Sequence, residues 1–440
     1  MTTTDPRNVP VSTSARGALD AFETALRQYQ SYVGDAVATI DHALAEHPDF
    51  VLGHVFRAGA LMAFGEQRFA TLARASVDAA EALADQANNR ERGLIAAVRK
   101  LADGDWHGAC DAFERVLIEH PRDAFAIQTA HLFDFARGDA KNLRDRVTRV
   151  LPAWSESIPG YSYVLGMHAF GLEECNQYAE ALAAAEHALA IERRDGWAVH
   201  AAVHVMEMTG RIDEGIKILD SRRDDWAPDN GFAFHNWWHL ALFHLDRGDH
   251  ARVLELYDTA IYPSELDYSL ILVDATSLLW RLHLLGIDSG DRLARVADVW
   301  ERKLDEERGF YAFNDVHAML AFAATGRAAA IERLLRDLES ASSGSNAAMA
   351  REVGIPIARA VVDFARGRYD ESLTGLASVR DVAHRFGGSH AQRDILTLTM
   401  IEAAQRAGRV QAARHYLAER TVLRPGSELG RRLYARTAQA

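Results

Sequence analysis

Glycines recur along this chain at a nearly fixed interval, and that interval limits the available folds more than any other feature. Gly65, Gly104 and Gly138 are followed by Gly210, Gly248, Gly286, Gly326, Gly367 and Gly408; apart from one double step, they stand 34 to 41 residues apart. Each closes an apolar stretch of helical period and precedes a second amphipathic stretch, as "YAEALAAAEHALAI" and "DEGIKILDSRR" show. "CNQYAEAL" supplies a non-glycine turn inside the double step. Self-similarity of this length marks a repeat array. One helical hairpin cannot bury its apolar face alone, so stacking must make the core continuous. The expected fold is all-α, an α-α superhelix (solenoid) of about ten hairpins. It should run as a single array over 16–440, behind a disordered tail over 1–15. A β-signal is almost absent, since runs such as "YSLILV" lie inside helical periodicity.

Charge narrows the partners. The formal net charge of −13 argues against nucleic acid or an anionic membrane surface, both of which require a basic face. No apolar leader follows the opening "MTTTDPRNVPVSTSARG", and no run is long enough to cross a bilayer, so a cytoplasmic protein is expected. Two cysteines exclude a disulfide framework: Cys110 falls at a core position and Cys175 follows Glu173 and Glu174, which disfavour a thiolate.

"GDWHGACDAFERVLIEHPRD" resembles a tetratricopeptide repeat, with Gly104, Asp105 and Trp106 at the turn, Ala109 and Phe113 on the second helix and Pro121 ending it. Over roughly residues 88 to 330, six phrases in order are similar to the tetratricopeptide repeat protein 38 family. They are "RDRVTRVLPAW", "PGYSYVLGMHAFGLEE", "WAVHAAVHVMEMTGR", "HNWWHLALFHLDRGD", "DATSLLWRLHLLGIDSGDR" and "FNDVHAMLAF". That resemblance implies the fold and no particular reaction.

The tetratricopeptide frame implies that first helices line a concave groove through their second, fifth, sixth and ninth positions. Counted back from the turn glycines, His200 and His204 take the fifth and ninth positions of one hairpin. His235 and His239 take the second and sixth of the next, and His317 a sixth further on. Glu207 shares the His200 stripe. His168, Asp274 and Asn314 are further polar residues in apolar first helices, and Trp238, Trp280 and Tyr311 are aromatic neighbours. A His-lined pocket is therefore expected over 160–330, binding a small polar or amphipathic molecule. The bland reading of each histidine is a core imidazole bonded to a neighbouring helix. His107, His120, His187, His250 and His415 are assigned to surface or packing roles.

Three chemistries fit the cluster. Two H-x-x-x-H pairs, His200 with His204 and His235 with His239, supply four imidazoles for zinc or iron, with Glu207 and Asp274 as oxygen donors. Without metal, His200, His204, His239 and His317 are proton-transfer groups oriented by Glu207 or Asp274. Ser277 faces the groove in the same frame, but no G-x-S-x-G elbow supports a serine nucleophile. The alternative is a non-catalytic scaffold that binds a peptide in the groove, although the basic clamp of chaperone-binding arrays is missing. The end hairpins offer a route to a homodimer. "SASSGSNAAMARE" reads as a long flexible turn, and the Arg-rich "RRLYARTAQA" as a cap or fraying end.

Overall fold

The computed structural model describes residues 3–439 except 265, 308 and 342. Its regular elements are helices, beside two isolated β-bridges, Thr4 with Pro10 and Val33 with Asn230. The chain divides into two compact units, residues 1–202 with 222–233, and residues 203–221 with 234–440. Each is a stack of tetratricopeptide-like helix pairs.

The first unit holds five pairs: α1 (Arg16–Ser31) with α2 (Ala36–Glu46), α3 (Val51–Met62) with α4 (Gln67–Ala82), α5 (Asn89–Ala102) with α6 (Trp106–Glu119), α7 (Ala124–Ala136) with α8 (Ala140–Val150), and α9 (Tyr161–Glu174) with α10 (Tyr178–Ile191). The next helix, α11 (Gly196–Met208), gives its first half to this unit and its second half, with α12 (Ile212–Ser221), to the other. The short α13 (Arg223–Trp226) returns to the first unit. The second unit continues with α14 (Ala233–Arg247) and α15 (His250–Leu256), α16 (Ser269–Leu284) and α17 (Arg292–Glu307), and α18 (Ala312–Ala324) and α19 (Ala328–Ser340). It then has α20 (Gly344–Met349), α21 (Ile355–Ala365) with α22 (Tyr369–Val379), α23 (His390–Arg406) with α24 (Val410–Leu423), and a terminal α25 (Glu428–Gln439).

Local chemistry sets these boundaries. Every turn glycine of the series has positive φ, from 65° to 82°, the region a side chain disfavours. Asn176, in the non-glycine turn, takes the same conformation at φ 61°. Asp35, Asp105, Asp123, Asp139 and Asp249 accept from the first free amides of α2, α6, α7, α8 and α15, and capping boxes open α5 (Asn88, Glu91) and α23 (Ser389, Gln392).

First and second helices differ in how they are covered. α18 is buried continuously from Ala312 to Ala323, and α16 from Leu272 to Leu282. α19 buries Ala330, Ile331, Leu334 and Leu338, a single stripe. Polar side chains on first helices therefore have no solvent to turn to and must find partners inside the protein.

Three segments differ from their sequence expectation. Residues 4–11, placed in a disordered tail, fold back as a hook: the Asp5 carboxylate accepts from Arg7 N and Val9 N at 2.9 Å, and Arg7 donates to Glu23 of α1 at 2.9 Å. Val9 and Val11 are buried at 3 % exposure. The serine-rich turn after α19 carries α20 and a π-type turn over Ala350–Gly354, while Ser342 lies outside the described residues. The Arg-rich terminus is α25, which Arg436 ties to Glu402 and Gln405.

Candidate functional site

In the second unit, the end of α11 and the first helices α14 and α16 bring three imidazoles and two carboxylates together. His204 and Glu207 sit one turn apart on α11, His235, Trp238 and His239 on α14, and Asp274 and Ser277 on α16. The ring centres of His204 and His239 are 4.5 Å apart and those of His235 and His239 are 4.9 Å apart. Donor nitrogens of His204, His235 and His239 lie within 4.8 Å of one another.

Each carboxylate holds one ring by the same nitrogen. His239 Nδ1 stands 2.9 Å from Glu207 Oε2, and His235 Nδ1 stands 2.6 Å from Asp274 Oδ2. An ionised carboxylate only accepts, so against one Nδ1 carries the proton and Nε2 of a neutral ring is left as the acceptor nitrogen. Burial, then the neighbouring imidazoles His204 and His235, press the pKa of His239 well below its ordinary value. Burial raises that of Asp274, against the pull of His235. Trp238 stacks on His235 at 5.2 Å and donates from Nε1 to Ser277 Oγ at 3.0 Å, which fixes the serine as an acceptor for tryptophan.

Behind Glu207 lies a charged layer that sequence reasoning missed. Arg424, in the loop after α24, donates to Glu207 Oε1, so one carboxylate serves an imidazole and a guanidinium together. Asp394 of α23 receives Arg420 through both oxygens at 2.8 Å and meets Arg424 at 3.5 Å. Burial alone would raise the Asp394 pKa, yet Arg420 and Arg424 hold it below the usual carboxylate range. Glu207, Asp246, Asp394 and these two arginines line a small cavity of about 30 Å³, together with Arg281 of α16. The loop Arg424–Ser427 closes it: Ser427 Oγ donates to Asp246 Oδ2 at 2.5 Å and Glu428 N to Asp246 Oδ1 at 2.7 Å. The cavity wall thus reaches residue 429, beyond the expected 160–330. The sequence sign was a density of arginines over residues 406–436.

The other residues of the expected pocket have neighbours of their own. His200, one turn before His204, belongs to the first unit, where Phe170, Trp197 and Phe232 surround its ring at 5.0 to 5.2 Å. His168 is half-buried and meets Thr148 at 3.1 Å. His317 donates Nδ1–H to Phe313 O at 2.8 Å, and burial lowers its pKa to about 4. Trp280 donates to Thr399 Oγ1 at 3.0 Å, Tyr311 rests 5.9 Å from Phe313, and Asn314 is buried on α18. The clustered groups are not displayed along an open groove, since His204 and His239 are 0 % exposed and Asp274 is 1 % exposed.

No protein-family model matches the chain. Among solved structures, yeast Tom70 aligns at 13 % identity over 94 % of this chain and 92 % of its own, with a TM-score of 0.44. The human IFIT1 dimer with m7Gppp-AAAA aligns at 13 % identity, 98 % and 96 % coverage and a TM-score of 0.45. The TPR domain of P58(IPK) aligns at 13 % identity, 90 % and 98 % coverage and 0.22. No helix among the described residues is long and apolar enough to cross a membrane.

Proposed function

We propose that this helical-repeat protein, a member of the tetratricopeptide repeat protein 38 family on the strength of its six ordered phrases, is a cytoplasmic metal-assisted enzyme acting on a small molecule. Its metal ligands are His204, His235 and His239. One observation carries the reading: two of three converging imidazoles are gripped at Nδ1 by buried carboxylates. That grip fixes the tautomer and presents Nε2, as outer carboxylates do for metal-bound histidines. Three nitrogen donors with no cysteine suit zinc, which keeps a fourth position open in catalytic sites, better than magnesium or calcium. A bound zinc ion would supply Lewis acidity at that position. The protein's own part is to orient the rings through Glu207 and Asp274 and, by burying them, to exclude bulk water.

Elemental analysis of purified, zinc-reconstituted protein tests this. About one zinc per chain is expected, lost in His204→Ala and His239→Ala. Asp274→Asn should weaken zinc binding by about 10- to 100-fold while the helical content stays unchanged. A folded protein that takes up no zinc, or alanine variants that retain it, would return the cluster to a packing role in a non-catalytic scaffold.

A further inference from the structure

Glu207 faces two ways. It is 4 % exposed, and its Oε2 accepts from His239 Nδ1 at 2.9 Å while its Oε1 accepts from Arg424 Nη1. The last torsion of a glutamate is broad and roughly two-fold, so the side chain's own preferences do not set the plane of the carboxylate. Partners on both oxygens do. Asp274, which holds His235 through Oδ2, bonds to no guanidinium among the described residues, and its shorter side chain carries the carboxylate on one torsion fewer.

Arg424 is itself held. Its Nε stands 3.5 Å from Asp394 Oδ2, and its Nη2 donates to the backbone oxygen of His390 at 3.4 Å. Asp394 in turn is gripped through both oxygens by Arg420 at 2.8 Å. Just beyond Arg424, Ser427 and Glu428 fasten the loop to Asp246 of α14, the helix that carries His235 and His239. Charges alternate from Arg420 through Asp394 and Arg424 to Glu207, and the row ends on the His239 ring. Arg420 also steadies the loop, donating to Ser427 Oγ at 3.2 Å, but among the described residues it has no hydrogen bond to Glu207. We propose that Arg424 is a positioning residue of the histidine site: its guanidinium holds Glu207 Oε1 and thereby keeps Oε2 on His239, so the last loop of the chain sets the tautomer of a ring on α14. A guanidinium suits this task because its donors form a rigid planar fork and it never accepts, so it cannot trade roles with the imidazole. The effect on a bound metal rests on the zinc reading; the tautomer of the metal-free ring does not.

Two measurements on the full chain test the assignment, for the parent, Arg424→Gln, Arg424→Lys and Arg420→Gln. The first is nitrogen NMR of histidine-labelled, metal-free protein at one neutral pH, with the His239 signals identified by their loss in His239→Ala. The parent ring should be a single Nδ1–H tautomer, Arg424→Gln should show a mixture of the two tautomers, and Arg420→Gln should resemble the parent. The second is zinc affinity by competition with a chelator: Arg424→Gln should weaken binding about three- to tenfold, less than removal of a carboxylate that touches a ligand, and Arg420→Gln by less than about twofold even where it lowers the melting temperature. Arg424→Lys keeps a donor but not the fork and should fall between the parent and Arg424→Gln in both. It decides the matter if Arg424→Gln does not fold. A parent-like ring in Arg424→Gln, or in Arg424→Lys where only that variant folds, would overturn the proposal; so would a parent ring without a dominant Nδ1–H form. Equal losses in Arg420→Gln would also overturn it, assigning the effect to closure of the loop. If no sample takes up zinc, the zinc reading fails and the NMR result alone decides the role of Arg424.

Discussion

Asp195 shows how far a single side chain in this fold departs from its solution behaviour. It caps α11, accepting from Trp197 N at 3.0 Å and Ala198 N at 2.9 Å, and is 0 % exposed. Burial, outweighing those two amides, lifts its pKa to about 7. The folded state therefore keeps a proton that the unfolded state releases near pH 4. Stability from this group is complete below pH 4, declines as pH rises and is lost above about pH 7. Asp195→Asn keeps a neutral acceptor for both amides and removes the titration. Its melting temperature relative to the parent should rise between pH 4 and pH 7 and then level off, which paired thermal melts across that range would show. A constant difference would mean that Asp195 is ionised in the folded protein.

Among elements, the loop between α24 and α25 separates two kinds of turn glycine. Gly210 and Gly286 have nearly equal φ, 72° and 73°. A methyl at Gly210 falls on the Pro425 carbonyl oxygen, whereas one at Gly286 meets nothing within 4 Å. Gly286→Ala should cost about 1–2 kcal/mol from the left-handed backbone alone. Gly210→Ala adds displacement of the loop and should cost at least about 1 kcal/mol more, read from denaturant midpoints of the two variants. Helix placement was legible from sequence because glycine period and apolar stripe are local signals. So were His204, His235 and His239, since one face of a helix can be counted. What covers that face was not legible. The same frame selected Trp280 and His317, yet Thr399 and the Phe313 carbonyl engage them, and spacing along one helix carries no information about those neighbours. Arg424, Asp394 and Arg281 complete the charged layer through contacts up to 217 residues apart in sequence, beyond any local pattern.

At the scale of the whole molecule, two compact units each support their own core. The first unit contributes aromatic packing around His131, buried at 1 % exposure, whose pKa burial depresses to about 3. A net charge of −13 predicts that the chain passes a heparin column without retention at about 0.1 M salt, because a polyanion gains nothing from such a surface. Retention there would reveal a basic patch that the formal charge conceals. The hook formed by Asp5 and Arg7 illustrates why composition misled at the start of the chain. Short polar residues read as unstructured, but a carboxylate accepting two nearby amides makes a turn without any apolar period.

Glu207 also imposes an order of events on synthesis. Its guanidinium partner is 217 residues downstream, so at about 5–20 residues per second the ribosome reaches Arg424 some 10 to 40 s after Glu207 has been made. Through that interval water must solvate the face of the carboxylate that the arginine later takes. In the finished unit the Arg424 guanidinium replaces that water.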